Sequence, residues 1–340
     1  MVYPDCTSSH YIHRVSIRAY LYDADGSDHP ITLQDDVLQH LTERQLLWID
    51  VTGQDPAEIE QVGAVVHLHR ESIRTLLNPI GRPRLDIFGE YFQVNVVAIE
   101  AASHGDEPSF RELPLDFFAG PNYLVTVHTD ALQFLQDFDD RVRADSGLGA
   151  LDSASFLAAL LDWHINSYFA VLDTFEAAVD DLDEEVLLHP NDREFLQDLV
   201  DLRRQGGQLR RILAPHREVF SGLARPDFQG LNNTNANPQF RALDDRFERA
   251  MDMVENAREL VLGSFELYIA GTGRKTNDAV QVLTIVTVSL GIVGAVAGVM
   301  GTNFTVGFFK AGEQGFIWML IGMAVLIALV LLLARRRKWI

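Results

Sequence analysis

A single cysteine, Cys6, occurs in 340 residues. One thiol can neither close an intramolecular disulfide nor build a cysteine-rich metal site, so Cys6 reads as an inert thiol. The first residues, with Tyr3-Pro4-Asp5 among them, lack the basic and apolar regions of a secretory signal, and none is expected. Basic charge is scarce as well: 28 Lys and Arg stand against 48 Asp and Glu, a net of −20. From Arg274 onward seven basic residues face two acidic ones, net +5, so residues 1–273 carry −25. A body this acidic does not hold nucleic acid or anionic lipid through its general field. It gathers cations, or is simply kept soluble by its charge. Glycine-rich phosphate loops, a nucleophile elbow, a nucleophile–base pair and a metal triad are all missing, which argues against an enzyme.

Charge is absent altogether from two long runs, Ala279 to Met300 and Phe316 to Ala334. As helices they span roughly 33 and 28 Å, enough for the ~30 Å hydrocarbon core of a bilayer. Arg274 and Lys275 precede the first run, and Arg335-Arg336-Arg337-Lys338 follow the second. Basic flanks stay inside, which places both termini in the cytoplasm and leaves Gly301 to Gly315 outside. The expected chain is an α+β membrane protein of the cell (inner) membrane. It comprises a cytoplasmic α/β subdomain (1–150), a long-helix funnel or stalk (151–278) and a transmembrane hairpin (279–340). The hairpin divides into spans 279–300 and 316–334, an external loop 301–315 and a basic tail 335–340.

Within the first part, Val15 to Leu21 and Leu46 to Val51 read as strands. Asp55-Pro56-Ala57-Glu58 caps a helix running to about Val66, and Ser72 to Leu77 forms another. Strands return at Tyr91 to Ala98, Ser109 to Phe118 and Tyr123 to His128. His67, His69 and His128 read as surface or packing residues rather than ligands. From Ser153 the period changes to 3.6. Helices are expected over Ser155 to Leu188 and Asp192 to Leu213, followed by a turn through Arg217 to Pro226 and a polar loop from Gln229 to Pro238. No proline follows Pro238, so a helix of about 60 residues can run unbroken into the membrane.

That helix carries three stripes. Leu243, Phe247, Val254, Val261, Phe265 and Tyr268 form a packing stripe. Asp245, Glu248, Asp252, Glu255, Glu259 and Glu266 step by three, four and seven along one side. They are either a solvated face balanced by Arg246, Arg249 and Arg258, or a cation-attracting lining near a pore mouth. In the membrane run Thr284, Thr287, Gly291, Gly294 and Gly298 put hydroxyls and bare backbone on one side. Asn277 and Gln281 extend that side inward, and Asn303 lies past its outer end. Small residues at this spacing also serve close helix packing. The second run, interrupted only by Gly322, reads as lipid-facing. One hairpin cannot enclose a pore, so transport requires several copies.

These residues resemble the CorA family of divalent-cation transporters, which end in two membrane helices joined by a Gly-Met-Asn motif, then an external loop and a basic, tryptophan-containing tail. The motif stands here as Gly301-Thr302-Asn303 and the tail as Arg337-Lys338-Trp339. The family's Asn-x-x-Met-Lys-x-Leu-Thr appears as Asn277, Leu283 and Thr284, with Val280 and Gln281 in the Met and Lys places. Leu202-Arg203-Arg204, Leu209-Arg210-Arg211 and Pro215-His216-Arg217-Glu218 are similar to its long-helix pattern. Trp48-Ile49-Asp50, Arg82-Pro83-Arg84 and Leu124-Val125-Thr126-Val127 are similar to its α/β part.

The resemblance implies a homopentamer whose first membrane helix lines the pore, through Asn277, Val280, Leu283, Thr284, Thr287, Gly291, Gly294 and Gly298, with Leu283 in a hydrophobic constriction. Gly301 lets the chain turn at the outer mouth, where Gly301, Thr302 and Asn303 set ion selectivity and Asn303 meets the metal. Neutral amide and carbonyl oxygens suit Mg²⁺, which gives up its water reluctantly. The implied cargo is hydrated Mg²⁺, with Co²⁺ or Ni²⁺ accepted; Zn²⁺, moved with protons, is the alternative within transport. No cofactor is implied beyond the transported ion. The partners are the chain itself, the bilayer and divalent cations, and not nucleic acid. Three departures stand out. Thr302 replaces methionine, the external loop carries only Lys310 and Glu313, and the family's regulatory aspartate falls at Ala242, beside Asp244 and Asp245. A membrane-anchored acidic sensor or adaptor is the alternative of another class.

Overall fold

The structure, a computed structural model, describes residues 16–34, 36–78, 81–104, 107–142, 152–188, 193–228, 236–301 and 312–336. Its strands are β1 (Ser16–Asp23), β2 (His29–Pro30), β3 (Gln45–Thr52), β4 (Arg84–Ile87), β5 (Phe92–His104), β6 (Glu107–Ala119) and β7 (Tyr123–His128). They form one sheet in the order β2-β1-β3-β7-β6-β5-β4. Only β3 and β7 pair in parallel, with Leu47 opposite Tyr123 and Thr52 opposite His128; the other neighbours are antiparallel.

The centre of the sheet is covered on both faces, which is why Leu46 to Val51 is buried without a break, apolar but for Asp50, rather than alternating. Leu47, Ile49, Val51, Val125 and Val127 pack with Ile59, Val62 and Val65 of helix α1 (Pro56–Val65), with Val66 just past its end and with Leu76 of α2 (Arg70–Leu77). From the other face Trp48 meets Phe138 of α3 (Gln133–Val142) and Phe156 of α4 (Ser153–Leu188) edge-on. Local chemistry sets the ends of α1. Asp55 accepts the Ala57 N–H at 2.8 Å and Pro56 opens the helix. At the other end His67 takes φ 55° and the Leu68 N–H returns to the Gly63 carbonyl, the closing bond of a left-handed cap.

Helices α5 (Arg193–Leu213), α6 (His216–Leu223), α7 (Asn237–Met300) and α8 (Gly312–Arg336) complete the chain. The expected turn through Arg217 is therefore a helix for most of its length. Its apolar positions Val219, Phe220 and Leu223 are buried. A Cβ on Gly222 would come within 2.9 Å of Leu85, so that glycine admits β4. The short strands β2 and β4 and helix α3 are additions to the sequence reading. The unbroken helix after Pro238 is present as α7, 64 residues long.

Contacts divide the chain into two units: Met1–Asp181 with Asp198–Leu262, and Leu182–Gln197 with Gly263–Ile340. Within the first, Leu243, Phe247, Val254 and Val261 of α7 are buried, and Phe247 stacks on Phe220 with centroids 4.7 Å apart. Within the second, buried Phe195 stacks on Tyr268 at 5.4 Å. The second unit holds both charge-free runs, now the end of α7 and most of α8. Each helix is long and apolar enough to cross a membrane.

Candidate functional site

The acidic stripe of α7 separates into two lines. Glu248 takes a two-pronged ion pair from Arg217 of α6, with both bonds at 2.7 Å, and this contact holds its carboxyl below the usual glutamate value. Glu255 meets Arg210 of α5 at 2.5 Å and Arg258 at 2.6 Å. Those two carboxylates are answered inside the chain and do not belong to a free cation-attracting line. Asp245, Asp252 and Glu259, with Glu266 beyond them, are exposed and seven residues apart. That spacing keeps them on one edge of the helix with a drift of only about 20° per step. Next to them, burial raises the Asp244 carboxyl, and the charges of Glu248 and Asp245 add to the rise. Ala242 lies in a shallow cavity with Ser155, Ala158 and Asp162, and Asp162 itself is paired with Arg246 at 2.5 Å.

Further along, α7 is helical through the membrane residues singled out from Asn277 to Gly298. Asn277, Thr284, Gly291 and Gly298 form one seven-residue series, and Val280, Thr287, Gly294 and Gly301 form a second beside it. Interleaved series of this kind make a single seam on a helix. Leu283 lies at the border of the seam, about 60° from its middle, and is 65 % exposed. The Thr284 hydroxyl donates to the Val280 carbonyl at 2.7 Å, so its lone pairs are what it presents outward. A Cβ on Gly291, Gly294 or Gly298 would meet nothing within 4 Å: in one chain this side is open.

At the C-terminal end of α7 the Gly301 N–H bonds the Ala297 carbonyl at 2.9 Å, and Gly301 keeps an ordinary φ. The helix ends at Met300, one residue before Gly301, and Gly312 at the start of α8 takes a left-handed φ of 57°. Thr302 and Asn303 lie outside the described residues, as does the tail from Arg337.

The α/β part holds polar groups that sequence reasoning passed over. Asp50, buried on β3, accepts the Thr126 hydroxyl at 2.5 Å, His128 Nε2 at 3.0 Å and Arg18 at 2.7 Å. Burial alone would raise its carboxyl; the hydrogen bond and charge of His128, with Thr126 and Arg18, hold it below the ordinary aspartate value. Trp48 donates to the same Thr126 hydroxyl at 3.2 Å, and His128 Nδ1 bonds the Asp130 carbonyl at 2.6 Å. Both His128 nitrogens are engaged, which makes it a strut between strands rather than a metal ligand. His69 lies tilted against Phe88, ring centroids 5.3 Å apart, and among the described residues no three of His, Cys, Asp and Glu gather as a metal cluster. The only sequence signal for this network was the likeness of Trp48-Ile49-Asp50 and Leu124 to Val127 to one family's pattern.

Residues 43–336 match the family described as CorA-like Mg²⁺ transporter protein. This chain belongs to that family. The cobalt/magnesium transport protein CorA of Thermotoga maritima is 28 % identical over 302 residues, covering 86 % of this chain and 83 % of the relative. The complete structure of the CorA magnesium transporter from Methanocaldococcus jannaschii superposes with a TM-score of 0.74 at 19 % identity, over 95 % of this chain and 98 % of that one. The cytoplasmic domain of ZntB from Vibrio parahaemolyticus superposes with a TM-score of 0.61 at 13 % identity, over 76 % and 99 %. The full-length CorA match extends over the α/β domain, the long helix and both apolar C-terminal helices, the α+β architecture expected from the sequence.

Proposed function

We propose that this chain is one subunit of a membrane pathway for hydrated divalent metal cations, Mg²⁺ first and Co²⁺ or Ni²⁺ accepted. The observation that carries the reading is α7, continuous from the soluble α/β unit to Met300 and polar along one seam in its charge-free stretch. A seam of hydroxyls and bare backbone is costly to leave in hydrocarbon, and copies arranged around an axis would turn it onto a water-filled path. Five copies is the number the CorA resemblance implies. In that arrangement α8 faces lipid, Asn303 with Thr302 and Gly301 meets the incoming ion, and Val280 and Leu283 narrow the inner half. The exposed carboxylates Asp245, Asp252, Glu259 and Glu266 raise the cation concentration at the cytoplasmic mouth. The division into residues 1–150, 151–278 and 279–340, with both termini in the cytoplasm, belongs to the same reading.

Neutral oxygens along the seam suit an ion that keeps its water. Zn²⁺ sites are built mainly from His and Cys, and the seam has neither. The chain does no chemistry on its cargo and needs no cofactor in this scheme. The test is uptake into proteoliposomes of purified protein, with Mg²⁺ and Zn²⁺ indicators side by side and with or without a proton gradient. Mg²⁺ entry that ignores the gradient is the expected result. Zn²⁺ entry that grows with the gradient would replace it with proton-coupled zinc transport, and no entry of either ion would leave an anchored sensor or adaptor.

A further inference from the structure

Away from α7, two adjoining cavities open in the first unit, between the sheet, the loop at Gly81-Arg82-Pro83 and helices α5 and α6. Their volumes are about 300 and 820 Å³, and they share Gly81, Arg82, Pro83, Val97 and Glu218. Both volumes lie in the range of small-molecule sites.

The smaller cavity reaches Asp116 and Asn95. Asp116 is 6 % exposed, and its Oδ1 accepts the side-chain amides of Gln93, at 3.2 Å, and Asn95. Both amides spend a donor there, and the carbonyl oxygens Gln93 Oε1 and Asn95 Oδ1 are buried with no hydrogen-bond partner. Each such acceptor left dry costs about 1–3 kcal/mol, and native structures keep few of them. Burial lifts the Asp116 carboxyl to about 7. Arg84, ion-paired with Asp86, lines the same cavity, but its guanidinium makes no hydrogen bond to either of these amide oxygens.

The larger cavity is lined from one face of α5 by Arg204, Gln208 and Arg211, four and three residues apart, with Arg82 on the loop. Among the described residues none of these three arginines forms an ion pair, although Arg210, Arg217, Arg246 and Arg258 of the same unit all do. Glu112 and Glu218 share the cavity without pairing to them. Free guanidinium forks directed to one space fit phosphate oxygens, and carboxylates beside them accept from sugar hydroxyls.

We propose that this cleft binds a purine nucleoside polyphosphate, its base giving N–H donors to the Asn95 and Asp116 floor and its phosphates lying on Arg82, Arg204 and Arg211. The site is independent of the transport reading, because binding is measured without flux. The experiment is calorimetric titration of the detergent-purified full chain with ATP, GTP and inorganic triphosphate. A purine nucleotide should bind more tightly than triphosphate by about tenfold, the weight of one or two hydrogen bonds to the base. The R204A/R211A double variant, altered only at exposed positions, should weaken both by about tenfold or more while keeping the wild-type melting temperature. Asn95→Ala should weaken the nucleotide and leave triphosphate unchanged. Absence of nucleotide binding at millimolar concentration overturns the site, as does binding indifferent to the double variant. Triphosphate bound as tightly as ATP and GTP overturns the nucleoside assignment.

Discussion

The Nε2 atom of His216 accepts the backbone N–H of Val97 at 2.9 Å, joining α6 to β5 across 119 residues of sequence. An atom that accepts from an N–H carries no proton, so Nδ1 holds the hydrogen and donates to the carbonyls of Ile212 and Leu213 at 3.0 and 3.2 Å. The Tyr168 hydroxyl donates to the Val97 carbonyl at 2.6 Å and completes the junction with α4. His164 lies against Tyr168 and His216, with both ring nitrogens buried and unpartnered.

Acid should open this junction. Burial depresses His216 from 6.5 to about 4, and burial with the nearby His216 holds His164 well below its ordinary value. The unfolded chain therefore takes up protons that the native chain refuses. Stability is full above pH 6.5 and is lost as pH falls toward 4, by about 3 kcal/mol for His216. Asp116 acts in the opposite sense. Raised to about 7 from 3.8, it contributes fully below pH 3.8 and loses that contribution as pH rises through 7. Melting curves between pH 4 and 8 should show His216→Phe less stable at pH 7 and less acid-sensitive than wild type. Asp116→Asn should flatten the decline near pH 7. An unchanged profile in His216→Phe would remove the histidine from the acid response.

Breaking the Asp50 network should be severe. Asp50→Ala leaves the buried His128 and Thr126 without their carboxylate, while Arg18 keeps Asp139, at a cost of about 3–5 kcal/mol. The carboxyl is held below 3.8, so this contribution persists above pH 3.8 and fades only as pH falls through the lower folded value. Arg18 is half exposed, and Arg18→Ala should cost much less. Comparable losses in the two variants, measured by denaturant unfolding, would contradict this order.

The two acidic lines of α7 should separate functionally. Glu248→Ala removes an exposed ion pair and should change stability by less than about 1 kcal/mol. Neutralising Asp245, Asp252, Glu259 and Glu266 together to the amides should slow cation flux several-fold at low ionic strength and much less at about 0.5 M salt, where the Debye length is short. Flux that falls equally at both salt levels would point to a structural effect instead.

If the proposed pathway holds, Asn303→Ala should abolish uptake without changing the assembly seen on size exclusion. Normal uptake would take Asn303 out of the mechanism. Leu283→Ser should leak ions if the side chain at that border closes the path. An unaltered conductance would move the constriction elsewhere on α7.

Local and periodic physics was legible in the residues themselves. Asp55-Pro56 announces α1 because a cap and a fixed proline φ act within one turn. Leu46 to Val51 announces a central strand because burial on both faces removes alternation. The missing prolines after Pro238 and the missing charges in the two runs 279–300 and 316–334 determine α7 and the two apolar C-terminal helices, since each rests on composition over many residues. Other features needed the fold. The four residues of β4, Arg-Leu-Asp-Ile, alternate polar and apolar but over too short a run to stand out; α6 hides behind Pro215 and Gly222, which read as a turn. Glu248 and Glu255 look identical to Asp252 and Glu259 along the helix, and only packing brings Arg217 and Arg210 to the first two. His216 meeting Val97, and Arg82 sharing a cavity with Arg204 and Arg211, are likewise matters of tertiary structure. Period and composition act along the chain, whereas ion pairs, buried acceptors and cavities depend on distances between residues that the chain order leaves free.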